Sequence, residues 1–460
     1  MVIKPLCRRS LPATSAALLL LLMASANSAS ASALTANSSN STASSITVWT
    51  TSGVNYDWQQ TLIPGFEKAT GIKVNYDVIP EASLSDKLQT AELAKSNAYS
   101  IIEETQGQSA TYVANQGAKP LTGFINNAAL TPASYDFKGL STGLYAGCTV
   151  KGVVYCLPTS LDAGPELFWN KTLFKAAGIA AAPTNWAQVV SDAQKLTNTT
   201  TGVSGICMRG SESQANNYPF FLMFPYFAPY APNYQGEILN HSWKPLFNTP
   251  GALTWATDYA TLMQHDAPKG VSSYGYTDCE HAFETSQTAM WWDDSAFEDD
   301  LVNPSISKVA TVTGYDEIPC PSFNQTCLLS VPWGMYINPQ TPTAEQDAAW
   351  AYMEYVTSPA NQITAMVKTV NPGLASRTSS ITYALNHDSI FKAPKDYLAA
   401  VRYSLSHIEG NAIPSTPAFS PMVNDINVML SSLVAAQETP SQAMSTLQSQ
   451  IVAIVAQYKL

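Results

Sequence analysis

Several short stretches of the chain place carboxylates, hydroxyls or indoles at the ends of apolar runs with strand character. Trp49, Thr51 and Ser52 end the run that starts at Ile46, and Glu103, Glu104, Thr105 and Gln106 follow Ile101-Ile102. Asp293, Asp294 and Ser295 follow Trp291-Trp292, and Trp333 opens the run 333–337. Carboxylates, amides and hydroxyls in such positions exchange hydrogen bonds with the hydroxyls of a solute, while indole and phenol rings stack on its C–H faces. The chain holds 10 Trp and 22 Tyr, so stacking plates are plentiful. Paired carboxylates have a second use. Set ~5–5.5 Å or ~6.5–9.5 Å apart, they flank and hydrolyse a glycosidic bond, and Glu104 with Asp162 or Asp293 would supply such a pair. A plainer role for Asp294 or Ser295 is to cap a helix.

Other chemistries find little support. No G-x-S-x-G, H-E-x-x-H, P-loop or G-x-G-x-x-G text occurs. The histidines His241, His265, His281, His387 and His407 are scattered, and the Cys279-Glu280-His281 cluster fits no standard ligand spacing, so neither a metal nor a cofactor is expected. The formal net charge is -11 and no basic run exists to neutralise phosphates, which excludes nucleic acid as a partner. Charged residues make up only 12% of the 460, about half the usual share of ~25%.

The N-terminus has the layout of an export signal. Lys4, Arg8 and Arg9 precede an apolar stretch over 11–23, and Ala31-Ser32-Ala33 matches a cleavage site. The apolar stretch is shorter than the ~20 residues a membrane span needs. The expected leader is 1–33, followed by a flexible polar segment 34–45, and the product is exported to the periplasm or cell exterior. Cys7 lies before the apolar stretch, which is not the position of a lipid-anchored cysteine. The remaining cysteines are Cys148, Cys156, Cys207, Cys279, Cys320 and Cys327, an even set that suits disulfides in an exported chain. Proximity favours Cys148–Cys156 and Cys320–Cys327, which leaves Cys207–Cys279.

The elements that must hold these groups read as alternating strands and helices. Residues 46–49 form a strand, 58–70 a helix stopped by Gly71, 72–78 a strand, and 83–96 a helix with Leu84, Leu88, Ala91 and Leu93 on or near one face. A short strand at 100–102 then opens into a polar loop, 103–108. This β-α-β-α order predicts a parallel sheet. Further helices are expected at 185–196, 251–264, 344–357, 359–370 and 441–457, with buried strands at 166–169, 288–292 and 333–337. The Pro- and aromatic-rich stretch 218–234 reads as irregular.

These segments, taken in order, resemble the sugar-binding type of extracellular solute-binding proteins that serve ABC importers, the maltose-binding-protein-like group. The carriers are ITVWTTSG with LIPGFEKATGIKVNYDVI, then KGVVYCLPTSLDAGPELFWNKTLFKAAGI with PTNW, AFETSQTAMWWDDSAF, IPCPSFNQTCLLSVPWGMYINPQTP, and finally AAWAYMEYVTSPANQ with VNPGLASR. Cys156 and Ser286 stand where the family usually has Gly, and Leu374-Ala375-Ser376-Arg377 replaces its closing G-x-x-P-x-R.

The resemblance implies a two-lobed α/β fold of the type II periplasmic-binding class, each lobe a mostly parallel sheet flanked by helices, joined by a multi-strand hinge. One lobe would comprise 46–158 and 319–357, the other 159–318 and 358–460, with crossings near 157–165, 319–323 and 356–360. Ligand would lie in the interlobe cleft. Asp162 would face it just after the first crossing, Trp333 would stack on it, and Arg377 would touch it or, preferably, brace the lobe interface. The implied function is a monomeric, non-enzymatic receptor that delivers a small hydrophilic solute, a mono- or oligosaccharide, to permease subunits. A secreted glycoside hydrolase and a receptor for a polyamine or other non-sugar solute are the alternatives.

Overall fold

The computed structural model describes residues 43–51, 58–140, 142–160, 166–211, 226, 238–240, 242–293, 301–317, 332–369, 375–387, 394–407 and 416–460. The leader, the stretch 218–234 apart from Tyr226, and the cysteines Cys320 and Cys327 lie outside these residues. Two sheets organise the chain. The first has the order β2-β1-β3-β11-β6 and the second β10-β7-β9-β8. The strands are β1 Ser45–Thr51, β2 Lys73–Ile79, β3 Ile101–Thr105, β4 Thr149–Val150, β5 Val153–Val154, β6 Cys156–Ser160, β7 Leu167–Asn170, β8 Ser204–Cys207, β9 Thr288–Trp292, β10 Thr313–Asp316 and β11 Trp333–Ile337. β4 and β5 pair as a separate two-stranded ribbon.

β1 pairs in parallel with β2 and β3, while β11 runs antiparallel to both β3 and β6. In the second sheet β8 and β9 are parallel, and β7 runs against β9 and β10. Each sheet is therefore mostly parallel in direction, with one reversed strand. The reversed strands, β7 and β11, are the two that arrive from the other sheet. The crossings thus enter each sheet at the edge where its remaining strands finish.

Each sheet has its own apolar core. Val48, Ile101, Met335, Trp350 and Tyr352 belong to the first, and Phe168, Met290, Trp291, Trp255 and Phe283 to the second. The helix Pro359–Thr369 links them, with Ala365 in the first core and Met366 in the second. Helix Trp186–Leu196 starts at Asn185, whose side chain accepts from the Gln188 amide, a cap readable from its residue type. Gly71 ends helix Ile63–Thr70 with φ 75°, the left-handed conformation that glycine adopts at little cost.

The structure also corrects some expectations. The single helix expected over 58–70 is interrupted at Thr61-Leu62, because Pro64 has no N–H for an interior bond and sits instead in the first turn of Ile63–Thr70. Leu93 is 82% exposed, whereas Leu84, Leu88 and Ala91 are buried. At about 100° per residue, Leu93 lies half a turn around the helix from Leu84. The polar loop expected at 103–108 is in fact strand through Thr105 and then a short 3-10 turn, Gln106–Gln108. Alternation explains this: Glu103 points into the protein and is fully buried, and Glu104 is half-exposed.

Candidate functional site

Strand register aligns a row of side chains along the finishing edge of each sheet. In the first sheet, Thr51 pairs with Ile79 at the ends of β1 and β2, and Trp333 pairs with both Thr105 and Ser160. The row reads Ile79, Thr51, Thr105, Trp333, Ser160. In the second sheet, the Glu166 amide donates to the Asp316 carbonyl at 3.2 Å and the Asp293 amide to the Glu166 carbonyl at 3.1 Å. β8 then brings Arg209 beside Asp293. That row reads Asp316, Glu166, Asp293, Arg209, with Glu317 following Asp316.

Two of the chain's passages between the sheets, β6 to β7 and β10 to β11, join these two edges. Ser160 ends β6 and Leu167 begins β7, so the points are at most about 25 Å apart along seven residues. Asp316 ends β10 and Trp333 begins β11. In such α/β folds, ligands lie outside the carboxyl ends of the strands. The first edge is neutral, with hydroxyls and one indole. The second is acidic, with one guanidinium.

Gln106 fixes the first edge. Its backbone amide donates to the Pro332 carbonyl at 2.8 Å, and its Nε2 to the Trp333 carbonyl at 3.2 Å. A Cβ at Gly147 would meet Gln106 Oε1 at 2.2 Å, so a larger residue there would push the Gln106 amide aside. Gln106 Oε1 and Ser160 Oγ are buried without a hydrogen-bond partner among the described residues. Trp333 itself is half-buried. Trp49 is buried two residues before the strand end, packed on Tyr99 at 4.6 Å with Lys87 Nζ 4.2 Å over its ring. Glu104 Oε1 accepts from the Thr105 amide at 2.7 Å.

Behind this edge lies a carboxyl network. Glu103 Oε2 accepts from Thr50 Oγ1 at 2.9 Å and from Gln59 Nε2. Gln59 Oε1 accepts from the hydroxyls of Tyr76 and Tyr352. Full burial raises Glu103 to about 7 against the pull of Thr159, Thr50 and Gln59.

On the second edge, Asp293 is fully buried. Arg209 donates to it from Nε at 2.8 Å and from an Nη nitrogen at 2.6 Å, with its guanidinium carbon 5.2 Å from the Tyr276 ring centroid. Asp293 thus stands at the edge as expected, but engaged in a charge pair. Glu317 is raised to about 9, first by burial and then by Asp316 beside it. Among the described residues, no group of three or more His, Cys, Asp or Glu is arranged to hold a metal ion.

Arg377 is fully buried. Its donors go to main-chain carbonyls, Thr357 and Asp136 at 2.7 Å and Tyr135 at 2.9 Å, and its guanidinium lies over the Tyr135 ring at 4.7 Å. It thus joins the segments that hold Tyr135-Asp136, Thr357 and Arg377 itself. Ser52, Asp162 and Asp294 lie outside the described residues.

Ser160, Arg209 and Glu317 were not singled out by the sequence, and Glu103, named there among strand-end groups, turns into the core instead. The strand-end rule would have found Arg209 had 204–207 been read as a strand. Cys148 bonds Cys156 and Cys207 bonds Cys279, as proximity and elimination suggested.

The model of the family described as bacterial extracellular solute-binding protein matches residues 50–363. The mannitol-binding protein of Pseudomonas aeruginosa is 24% identical over 426 residues, covering 88% of this chain and 92% of that protein. An ABC transporter solute-binding protein from Agrobacterium radiobacter, solved with ribitol, superposes with a TM-score of 0.75 at 21% identity, covering 88% of this chain and 98% of that one. Another from Agrobacterium vitis, solved with D-mannitol, gives 0.73 at 22% identity, covering 90% and 98%.

Proposed function

We propose that this chain, which belongs to the bacterial extracellular solute-binding protein family, is the monomeric, exported receptor of an ABC importer for a small polyol or sugar. It is a binding protein and not an enzyme. Its solute enters between the two sheets and is passed on unaltered to permease subunits. The observation that carries this reading is the pairing of edges: these two crossings connect a neutral hydroxyl-and-indole row to an acidic row holding Arg209.

The chemistry suits a polyol. Thr51, Thr105 and Ser160 exchange hydrogen bonds with hydroxyls, Trp333 stacks on the carbon chain, and the second row accepts from further hydroxyls. A solute that touches both rows binds the closed arrangement better than the open one and shifts the population toward it. Such closure turns on the crossings, as in hinged two-lobed binders. The mannitol-binding relative and the ribitol- and mannitol-bound structures support a polyol as one candidate, beside the saccharides bound by other structures of the same fold.

A second reading has one observation behind it. The acidic row would also attract a polyamine. A thermal-shift screen separates the two: D-mannitol or ribitol should raise the melting temperature by mass action, and putrescine should not. A shift with putrescine and none with any polyol or sugar would overturn the proposal.

A further inference from the structure

Glu317 follows β10 at the edge of the second sheet, and both its carboxyl oxygens are sealed from water without a hydrogen-bond partner among the described residues. A buried polar group left unpartnered gives up the hydrogen bonds that water would supply and gains none in return. This group stands at the end of β10, the last strand of the second sheet before Trp333 begins β11. At the edge of the first sheet, Ser160 Oγ and Gln106 Oε1 are buried and unpartnered too. Both edges that the crossings join thus carry unpartnered buried polar atoms, as do positions away from them such as Trp255 and Tyr259.

We infer that Glu317 is a solute-recognition residue, whose buried carboxyl takes a hydroxyl of a neutral polyhydroxylated solute as its missing partner. This rests on the function proposed above and narrows its substrate class. Burial and the neighbouring Asp316 push Glu317 up to about 9, so near neutral pH it is a carboxylic acid. In that form it offers one O–H donor and one carbonyl acceptor, which matches a hydroxyl that both accepts and donates. An anionic solute would meet Asp316 and Glu166 on the same edge, while the Arg209 side chain is engaged with Asp293. A cationic solute would have to ionise Glu317 against its burial.

The test is calorimetric titration of D-mannitol and ribitol into the wild-type protein, Glu317→Gln and Glu317→Leu, with ligand-free melting curves for each. Glutamine keeps one donor and one acceptor, so its affinity should stay within about threefold of wild type. Leucine removes both and should lose roughly tenfold to a hundredfold in affinity. Its ligand-free melting temperature should hold or rise, because an unpartnered polar group gives way to an apolar one. Unchanged affinity in Glu317→Leu overturns the inference while leaving the polyol reading intact. Equal losses in both variants, or binding of putrescine more tightly than either polyol, overturn it as well. No binding of any polyol or sugar by the wild type removes the reading and the inference together.

Discussion

Replacing Glu103 by Gln should change how stability depends on pH, in a direction fixed by the structure. The wild-type carboxyl is fully buried and accepts from Thr50 and Gln59 through one oxygen. Its folded-state value is raised from 4.5 to about 7, mainly by burial. A raised carboxyl means that the folded protein holds the proton more tightly than the unfolded chain does. Below about pH 4.5 both states are protonated and the group contributes no pH-dependent term. As pH rises from there to about 7, the unfolded chain ionises first, and stability falls by up to ~1.36 kcal/mol per pH unit. The total lost by pH 7.5 is about 3 kcal/mol. Glutamine keeps an acceptor for Thr50 and Gln59, and its amide nitrogen can donate to the Thr159 hydroxyl nearby. It does not titrate. The stability difference between Glu103→Gln and wild type should therefore shift in favour of glutamine by about 3 kcal/mol between pH 4.5 and 7.5. Urea unfolding across that range measures it. A difference that stays constant with pH would refute the reasoning, as would one moving the other way.

Further outcomes follow from other contacts. Arg209→Met should destabilise by ~3–5 kcal/mol, because Asp293 would be left buried without its counter-charge. Adding Asp293→Leu should recover much of that loss in denaturant unfolding. Trp333→Ala should weaken D-mannitol binding about tenfold, with a ligand-free stability change near ~1 kcal/mol since the ring is half-exposed; unchanged calorimetric affinity removes it from the site. Replacing both Cys207 and Cys279 by Ala should cost more than replacing Cys148 and Cys156, about 4 against about 2.5 kcal/mol, because the loops closed span sequence separations of 72 and 8. Equal losses in thermal unfolding would count against a loop-length origin.

The parts of the fold that local periodicity controls were legible. β2 and the helices Trp186–Leu196, Thr343–Val356 and Pro440–Tyr458 fall within a residue or two of where apolar spacing and caps put them. Errors arose where a single residue's geometry overruled the pattern, as at Pro64 and Leu93. β3 was cut short because two carboxylates look like a loop, although alternation lets Glu103 turn inward to donors while Glu104 faces out. The site was legible only along strand ends. That rule reached Thr51, Gln106, Asp293 and Trp333, which the register places on or beside the two edges. It could not show that Asp293 is engaged, since Arg209 lies 84 residues away in sequence. Nor could it separate Glu317 from any exposed acid, because burial and the lack of a partner exist only once the chain is folded. Arg377 carried a recognisable local text, but its partners are backbone carbonyls that no side-chain pattern encodes.

The central claim is that the two edges close on a solute and release it unchanged. Small-angle X-ray scattering of the purified protein with and without saturating D-mannitol tests it most directly, with the solute recovered afterwards and analysed. Closure on an unaltered solute requires a smaller radius of gyration with solute present and quantitative recovery of intact mannitol. A radius that does not change at saturation, or a solute returned chemically altered, would contradict it.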